Sequence, residues 1–419
     1  MIDNQLKRRE FIKGFSMLAG ATMLSSNSWL SPLLAQEAGS PSVVKLGLIG
    51  VGSRGRYLTS HLLANPAVEI VAYCDNYPAN LERAGEMVGK NAKAFTDYTE
   101  LLEMDEIQAV VIATPLNEHA HITIAALNKG KHVFCEKSMA ETLQDSLEMV
   151  NASRDTGRNL QIGHQRLFSI RFLKGIEMIQ EGKLGPITQI RASWHRNSDW
   201  RRKVPSPDLE RKINWRLYRE YSRGLMTELA SHHLQVGNWI LGEVPHEISG
   251  SGTINYWKDG REVFDNVNLI YRYPSGTHFI YDSVSSNEKY GCELQAMGPL
   301  GTLEMETAKF YLENPPPAPG ILQLINQIEK NIFDVIPIGG ASWVPEDPNE
   351  DKGTFITDAL NSDGSDMQME AFVNSVRENR KIPGNLEEGY NATIASLLGD
   401  QAMMEHRVVT WPDEFKLTK

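Results

Sequence analysis

One stretch constrains the fold of this chain more than any other. At residues 43–75 an apolar run, VVKLGLI, closes on GVGSRG at residues 50–55. A segment with helical periodicity then runs to Pro66, and a second apolar run ends in Asp75. A GxGxxG pattern alone is weak evidence. Set between a strand and a helix, with an acid 25 residues beyond Gly50, it marks a βαβ unit that holds a dinucleotide. Gly50 allows the tight turn, Gly52 lets the backbone approach a pyrophosphate, and Gly55 lets helix pack on strand. Ser53 and Arg54 lie at the helix N-terminus, which attracts negative charge. Asp75 at the end of the next strand suits two ribose hydroxyls and repels a 2′-phosphate, which favours NAD; Arg54 nearby keeps NADP open. The bland alternative is a glycine-rich structural turn.

The alternation continues, with apolar strands expected at 109–113, 131–135 and 159–163 and helical segments between them. Such a pattern predicts a parallel sheet covered on both faces. Ligands of open parallel sheets lie beyond the carboxyl ends of the strands. Two strand ends there carry chemistry: Thr114, Pro115, Asn117 and His119 in ATPLNEH, and Glu136 and Lys137 in CEKSM. Asn117 also suits a helix cap, and Glu136–Lys137 also suits a surface ion pair.

At 419 residues the chain is long enough for two domains. Its 41% hydrophobic and 23% charged residues fit a globular enzyme. A net charge of −11 argues against nucleic acid or an anionic membrane as partner. Cys74 and Cys135 sit in apolar strand patterns and, with Cys292, form no disulfide framework. The first 35 residues resemble a twin-arginine export signal: Arg8 and Arg9 in KRREFIK, a short apolar stretch, then a small-residue cleavage point at Ala35. The stretch is too short and too broken to span a bilayer, and no cysteine follows it to carry a lipid anchor. Periplasmic export is therefore expected, and with it a tightly bound dinucleotide regenerated in place.

In the second half, residues 188–202 read as a strand leading into a polar, aromatic loop. Trp194, His195, Trp200, Arg201 and Arg202 there suit a sugar, and equally a sheet core with solvated charges. Residues 224–242 have helical spacing, with Glu228 and His232 four apart and so expected on one face. A carboxylate there can orient an imidazole as general base, and His233 follows. A structural helix histidine is the alternative, as is a divalent metal held by His195, Glu228, His232 and His233. Strand periodicity fills 246–312, a helix is expected at 321–335, a polar loop at 349–366, and two amphipathic helices close the chain.

The glycine motif, TPxNxH at 114–119 and an EKP-like triplet with Ser138 in place of proline together resemble the Gfo/Idh/MocA oxidoreductase family over nearly the whole chain. The resemblance implies a Rossmann doubly wound NAD-binding domain at 44–166. It also implies an α/β substrate and oligomerisation domain at 167–419, with a large, open, mainly antiparallel sheet. It brings Gln165 and Arg166 beside the cofactor, makes Lys137 and His232 catalytic with Glu228 in the acid position, and leaves Gln235 where the family has a further aspartate. It implies hydride transfer from a hydroxyl of a sugar or glycoside, position 3 being one expectation, to bound NAD, in a homodimer or homotetramer. Two alternatives stand beside it: an NAD-dependent glycosidase working by transient oxidation and elimination, and a non-catalytic dinucleotide-binding module.

Overall fold

The computed structural model describes residues 43–313, 327, 353–360 and 362–417. The expected leader at 1–35, nearly all of the helix expected at 321–335 and part of the 349–366 loop lie outside them. Six strands, β1 (Val44–Ile49), β2 (Val68–Cys74), β3 (Lys93–Phe95), β4 (Ala109–Ile112), β5 (His132–Cys135) and β6 (Leu160–Ile162), form one parallel sheet in the order 3-2-1-4-5-6. That is the dinucleotide-binding order, with its switch point between β1 and β4. The edge strand β3 is missing from the sequence reading, because three residues with two exposed side chains leave no apolar run. Helices α1 (Ser53–Leu63), α2 (Pro78–Val88), α3 (His119–Asn128) and α4 (Leu143–Thr156) connect the strands.

Alternation along β5 shows why both faces must be covered. Val133 and Cys135 pack into one apolar cluster and Phe134 into another, each fully buried. Part of the second cluster comes from far along the chain: α7 (Ser365–Arg377) lays Met369, Phe372, Val373 and Val376 onto it. Phe372 meets Phe134 edge-on with ring centroids 5.8 Å apart. Burying either aromatic stabilises the fold by roughly 1.5–3 kcal/mol.

Beyond α5 (Ile170–Gln180) lies a nine-stranded sheet. It contains β7 (Gln189–Asn197), β8 (Glu247–Thr253), β9 (Asn266–Arg272), β10 (His278–Val284), β11 (Ser286–Gly298), β12 (Gly301–Glu304), β13 (Lys309–Leu312), β14 (Thr354–Phe355) and β15 (Val409–Thr410). β7 and β10 pair parallel and the other pairs are antiparallel. Strand β14 forms inside the segment read as loop, where Thr354 and Phe355 join the exposed edge of β13. One face of the sheet is packed by α6 (Ser231–Leu241) and the long α8 (Asn385–Glu405), whose Ala395 carbonyl accepts a hydrogen bond from buried Tyr271 at 3.3 Å. α6 thereby faces the carboxyl ends of the first sheet's strands.

Candidate active site

The turn from β1 into α1 is built as the glycine spacing requires. Gly50 has φ +83°, and a Cβ on it would lie 2.7 Å from the Ala113 carbonyl carbon and the Thr114 nitrogen. A Cβ on Gly55 would overlap the Gly50 carbonyl oxygen, whereas one on Gly52 would meet only Asn80 Nδ2, at 3.7 Å. Gly52 thus borders open space at a helix N-terminus, where backbone N–H groups suit an anion. The Asp75 carboxylate holds this loop: its Oδ2 accepts from Val51 N–H (3.0 Å) and Asn80 Nδ2 (3.1 Å), and its Oδ1 from Tyr77 N–H (2.8 Å). The sequence reading gave both oxygens to ribose; here each already braces the turn and offers its remaining lone pair to a ligand. Arg54 does not stand beside Asp75. Its Nε donates to Glu136 Oε1 at 2.7 Å, and the cation whose charge acts on Asp75 is Lys212.

From this turn a crevice of about 1360 Å³ runs between the two sheets. Its first wall carries residues 50–54, the ends of β4 and β5, and Gln165; its second carries residues 202–216, Glu228 and His232. Thr114 Oγ1, Asn117 Oδ1, Gln165 Oε1 and His232 Nδ1 are buried with no partner among the described residues. Unpaired buried polar atoms are costly, so four of them on one crevice argue for a polar ligand. Glycine cradle, acid and unpaired amides together fit a dinucleotide. Pro115 and Ser53 also line this wall. His119 does too, but its ring lies between the Ser138 carbonyl (2.8 Å) and the Thr114 carbonyl (3.1 Å), tying two strand ends together. Burial keeps it neutral, so it donates to one of them.

At the far end stand the acid–base groups. Lys137 Nζ donates to the carbonyls of Thr227 (3.1 Å) and Glu228 (3.0 Å), crossing from the first domain to the second. Burial lowers its pKa, opposed by Glu228 and Glu136. Ser138, at the position where the resemblance expects proline, adds Oγ to the Thr227 carbonyl at 3.0 Å, and the Lys137–Ser138 peptide is cis. Burial, together with the Arg166 and Lys137 charges, holds the His232 imidazole far below its ordinary pKa. It is neutral, which a proton acceptor must be.

The expected Glu228–His232 pairing is absent. Residues Met226–Ala230 form a π-helical turn, and its wider i→i+5 spacing no longer stacks residues four apart. Glu228 Oε2 instead accepts from Arg216 Nε at 2.7 Å. Burial opposes its charge, yet Arg216 and Lys137 hold it below the usual carboxylate range.

Five other expected site residues sit off the crevice. His195 alternates to the opposite face of β7 from Trp194 and pairs with Asp282. Arg201 is bound to Glu210 and Asp259. Trp200 packs beside the Arg196 guanidinium, 5.8 Å from its ring centroid. His233, fully buried, points away from His232 toward Glu306 (3.7 Å) and Cys292 (3.6 Å). Arg166 turns into the same cluster, donating to Glu306 and to Cys292 Sγ (3.5 Å). Trp200 and Arg201 lie in the irregular loop after β7; alternation explains His195 and His233, since sequence neighbours on a strand or helix face different ways. The metal set of His195, Glu228, His232 and His233 is dispersed for the same reason. His233, Cys292 and Glu306 could instead bring ligand atoms within 4.8 Å of one another, but the Arg166 guanidinium already supplies that cluster's cation. Although burial works against it, Arg166 and His233 hold the Glu306 carboxyl down to about 2, while burial pushes the Cys292 thiol up to about 12.

The sequence reading missed Arg216 and His164. His164 lies 5.9 Å from His232 ring to ring, and burial, with the Lys137 and Arg166 charges, pushes it down to about 3. The sequence signal for Arg216 was its neighbour Trp215 in an otherwise polar run.

Residues 44–164 match the model of an oxidoreductase family with an NAD-binding Rossmann fold, and residues 172–304 match the GFO/IDH/MocA C-terminal domain. A glycosyl hydrolase family 109 protein of Stenotrophomonas maltophilia is 31% identical over 199 residues, 45% of this chain and 42% of that protein. An inositol 2-dehydrogenase of Salmonella typhimurium is 29% identical over 205 residues, 48% of this chain and 55% of that protein. The chain thus spans about half the length of these curated relatives. An aldose-aldose oxidoreductase from Caulobacter crescentus, solved with glycerol, shares the fold at a TM-score of 0.66 and 20% identity, covering 88% of this chain and all of that one.

Proposed function

This chain belongs to the Gfo/Idh/MocA oxidoreductase family, and from that premise we propose that it oxidises a hydroxyl group of a sugar, polyol or glycoside using a retained NAD. The observation that carries the reading is that Lys137, bonded across to the Glu228 carbonyl, and the neutral His232, its Nδ1 unpaired among the described residues, line the same crevice, with the Lys137 charge acting on the imidazole. The glycine turn, Asp75, Thr114, Asn117, Gln165 and Glu136 would hold the dinucleotide. Bound NAD supplies the hydride-accepting nicotinamide. His232 takes the proton of the substrate hydroxyl. Lys137 donates a hydrogen bond to the same oxygen and stabilises the alkoxide-like charge that builds there. Arg216, anchored by Glu228, faces the crevice as a donor for a neighbouring substrate oxygen.

Residues 1–35 support export through the twin-arginine route. An exported enzyme has no dinucleotide pool to exchange with, so the cofactor is regenerated in place by a second sugar. The relative in glycosyl hydrolase family 109 favours a second reading: transient oxidation, elimination of an aglycone and re-reduction, with no net redox change. One experiment separates them. Mass spectrometry of the folded protein should find retained dinucleotide, and a sugar panel should then produce a reduced-nicotinamide absorbance band. A persistent band supports the oxidoreductase; a transient one with released aglycone supports the glycosidase; no dinucleotide and no band overturns both. Assembly as a homodimer or homotetramer is part of the same proposal.

A further inference from the structure

Residues 201–216 belong to the second domain, yet they reach across to the first. Lys212 Nζ donates to the carbonyl of Asn76 at 2.8 Å and lies 6.0 Å from the centre of the Tyr77 ring. Asn76 is the residue after Asp75, so the contact falls at the adenosine end of the crevice, far in sequence from the reacting groups.

Of the six cations on this arm four are committed within the protein, while Arg202 and Lys203, both on the crevice wall, have no such partner among the described residues. Arg201 is held by Glu210 and Asp259, Arg211 by Glu220 and Glu262, and Arg216 by Glu228. Arg202 differs. Its backbone is fixed at two points by the buried Asn214 side chain: Arg202 N–H donates to Asn214 Oδ1 at 2.7 Å, and Asn214 Nδ2 donates to the Arg202 carbonyl at 3.0 Å. Asn214 is held in turn by Glu210 Oε2 at 3.0 Å. The Arg202 guanidinium lines the crevice and has no partner among the described residues. Its pKa is lowered by burial and by the facing Arg216 and Arg56 guanidinia, and Arg56 stands on the first turn of α1. Arg202 and Arg56 have no acidic partner among the described residues, their charges repel, and an anion between them relieves that repulsion.

We propose that residues 202–216 form a clasp over the bound dinucleotide, with Lys212 hooking the arm to Asn76 and Arg202 gripping the diphosphate from the second domain's side. The proposal rests on the dinucleotide reading above and deepens it: the glycine turn binds the diphosphate from one wall, and Arg202 closes the opposite wall against release. A planar fork on a fixed backbone suits a phosphate pair.

The test is the release rate of NADH, followed by its fluorescence on dilution into excess NAD, for the full chain, Arg202→Ala and Arg202→Lys. Equilibrium binding of ADP-ribose and of adenosine is measured alongside. Arg202→Ala should speed NADH release by about tenfold or more and weaken ADP-ribose by a similar factor, with adenosine unaffected. Arg202→Lys, which keeps the charge without the fork, should fall between. Unchanged NADH release in Arg202→Ala, or equal losses for adenosine and ADP-ribose, would overturn the clasp while leaving the dinucleotide reading standing. Wild-type protein that binds neither NADH nor ADP-ribose would overturn both.

Discussion

Glu228 turns away from His232 and grips Arg216 Nε at 2.7 Å, while its own backbone carbonyl receives Lys137 at 3.0 Å. One residue therefore links the crevice's two walls at its reacting end: its side chain fixes a guanidinium and its main chain fixes an ammonium. The imidazole is left without a carboxylate partner.

This separation makes the two halves of a pH profile respond differently to Glu228→Gln. Among the charges acting on Lys137, Glu228 is the strongest that raises its pKa, so losing it should move the alkaline limb of kcat/KM to lower pH. His232 takes its low pKa from burial, Arg166 and Lys137, so the acid limb should stay in place. An acid limb that shifts with the substitution would show that Glu228 orients His232 after all.

Lys137→Met should leave NADH affinity within about twofold and lower kcat by roughly 10²–10³-fold, the cost of removing one donor to a developing oxyanion. His232→Asn should cost about 10²–10⁴-fold in kcat, the range for a general base. Binding and turnover measured on the same preparations decide it. Retained turnover in Lys137→Met removes the lysine from the chemistry.

Stability should fall on mild acidification. Burial pushes His132 and His233 down to about 4 and His164 to about 3. Below an unfolded value of about 6.5 the unfolded chain binds protons that these native rings refuse. Each contributes up to about 1.4 kcal/mol per pH unit of lost stability down to its folded pKa. Glu293, raised to about 7 by burial, acts in the opposite sense as pH falls from about 7 to about 4.5 and offsets roughly one histidine. These four groups together should therefore cost about 2–3 kcal/mol per unit between pH 6 and 5 in chemical denaturation, and His232, also held well below its ordinary pKa, adds to the loss. A flat profile there would mean that these rings are hydrated.

Local pattern carried much of this molecule. Alternating apolar runs set the parallel sheet, and GVGSRG with Asp75 located the turn, because both depend on neighbours along the chain. The residues at strand ends, from Thr114 to Lys137, were legible because every strand of a parallel sheet ends on the same side. What misled was direction. His233 next to His232 and His195 next to Trp194 have the right chemistry, but one step along a helix or strand turns the side chain elsewhere. The π turn at Met226–Ala230 has no sequence signature that separates it from an α-helix, and it alone uncoupled Glu228 from His232. Arg166 was drawn away by Glu306, a partner 140 residues distant, which no local pattern announces.

The return of α7 to the first sheet has a bearing on how the chain can be divided. A fragment ending near residue 166 would carry the whole glycine turn and all six strands, yet leave bare the apolar strip around Phe134 that Met369, Phe372 and Val373 shelter. Its nucleotide half is thus a discontinuous body, completed only after the ribosome has made some two hundred residues more. Nascent chains must hold that strip out of harm's way until the tail arrives, and any stop upstream of α7 should give a sticky product rather than a small, well-behaved nucleotide binder.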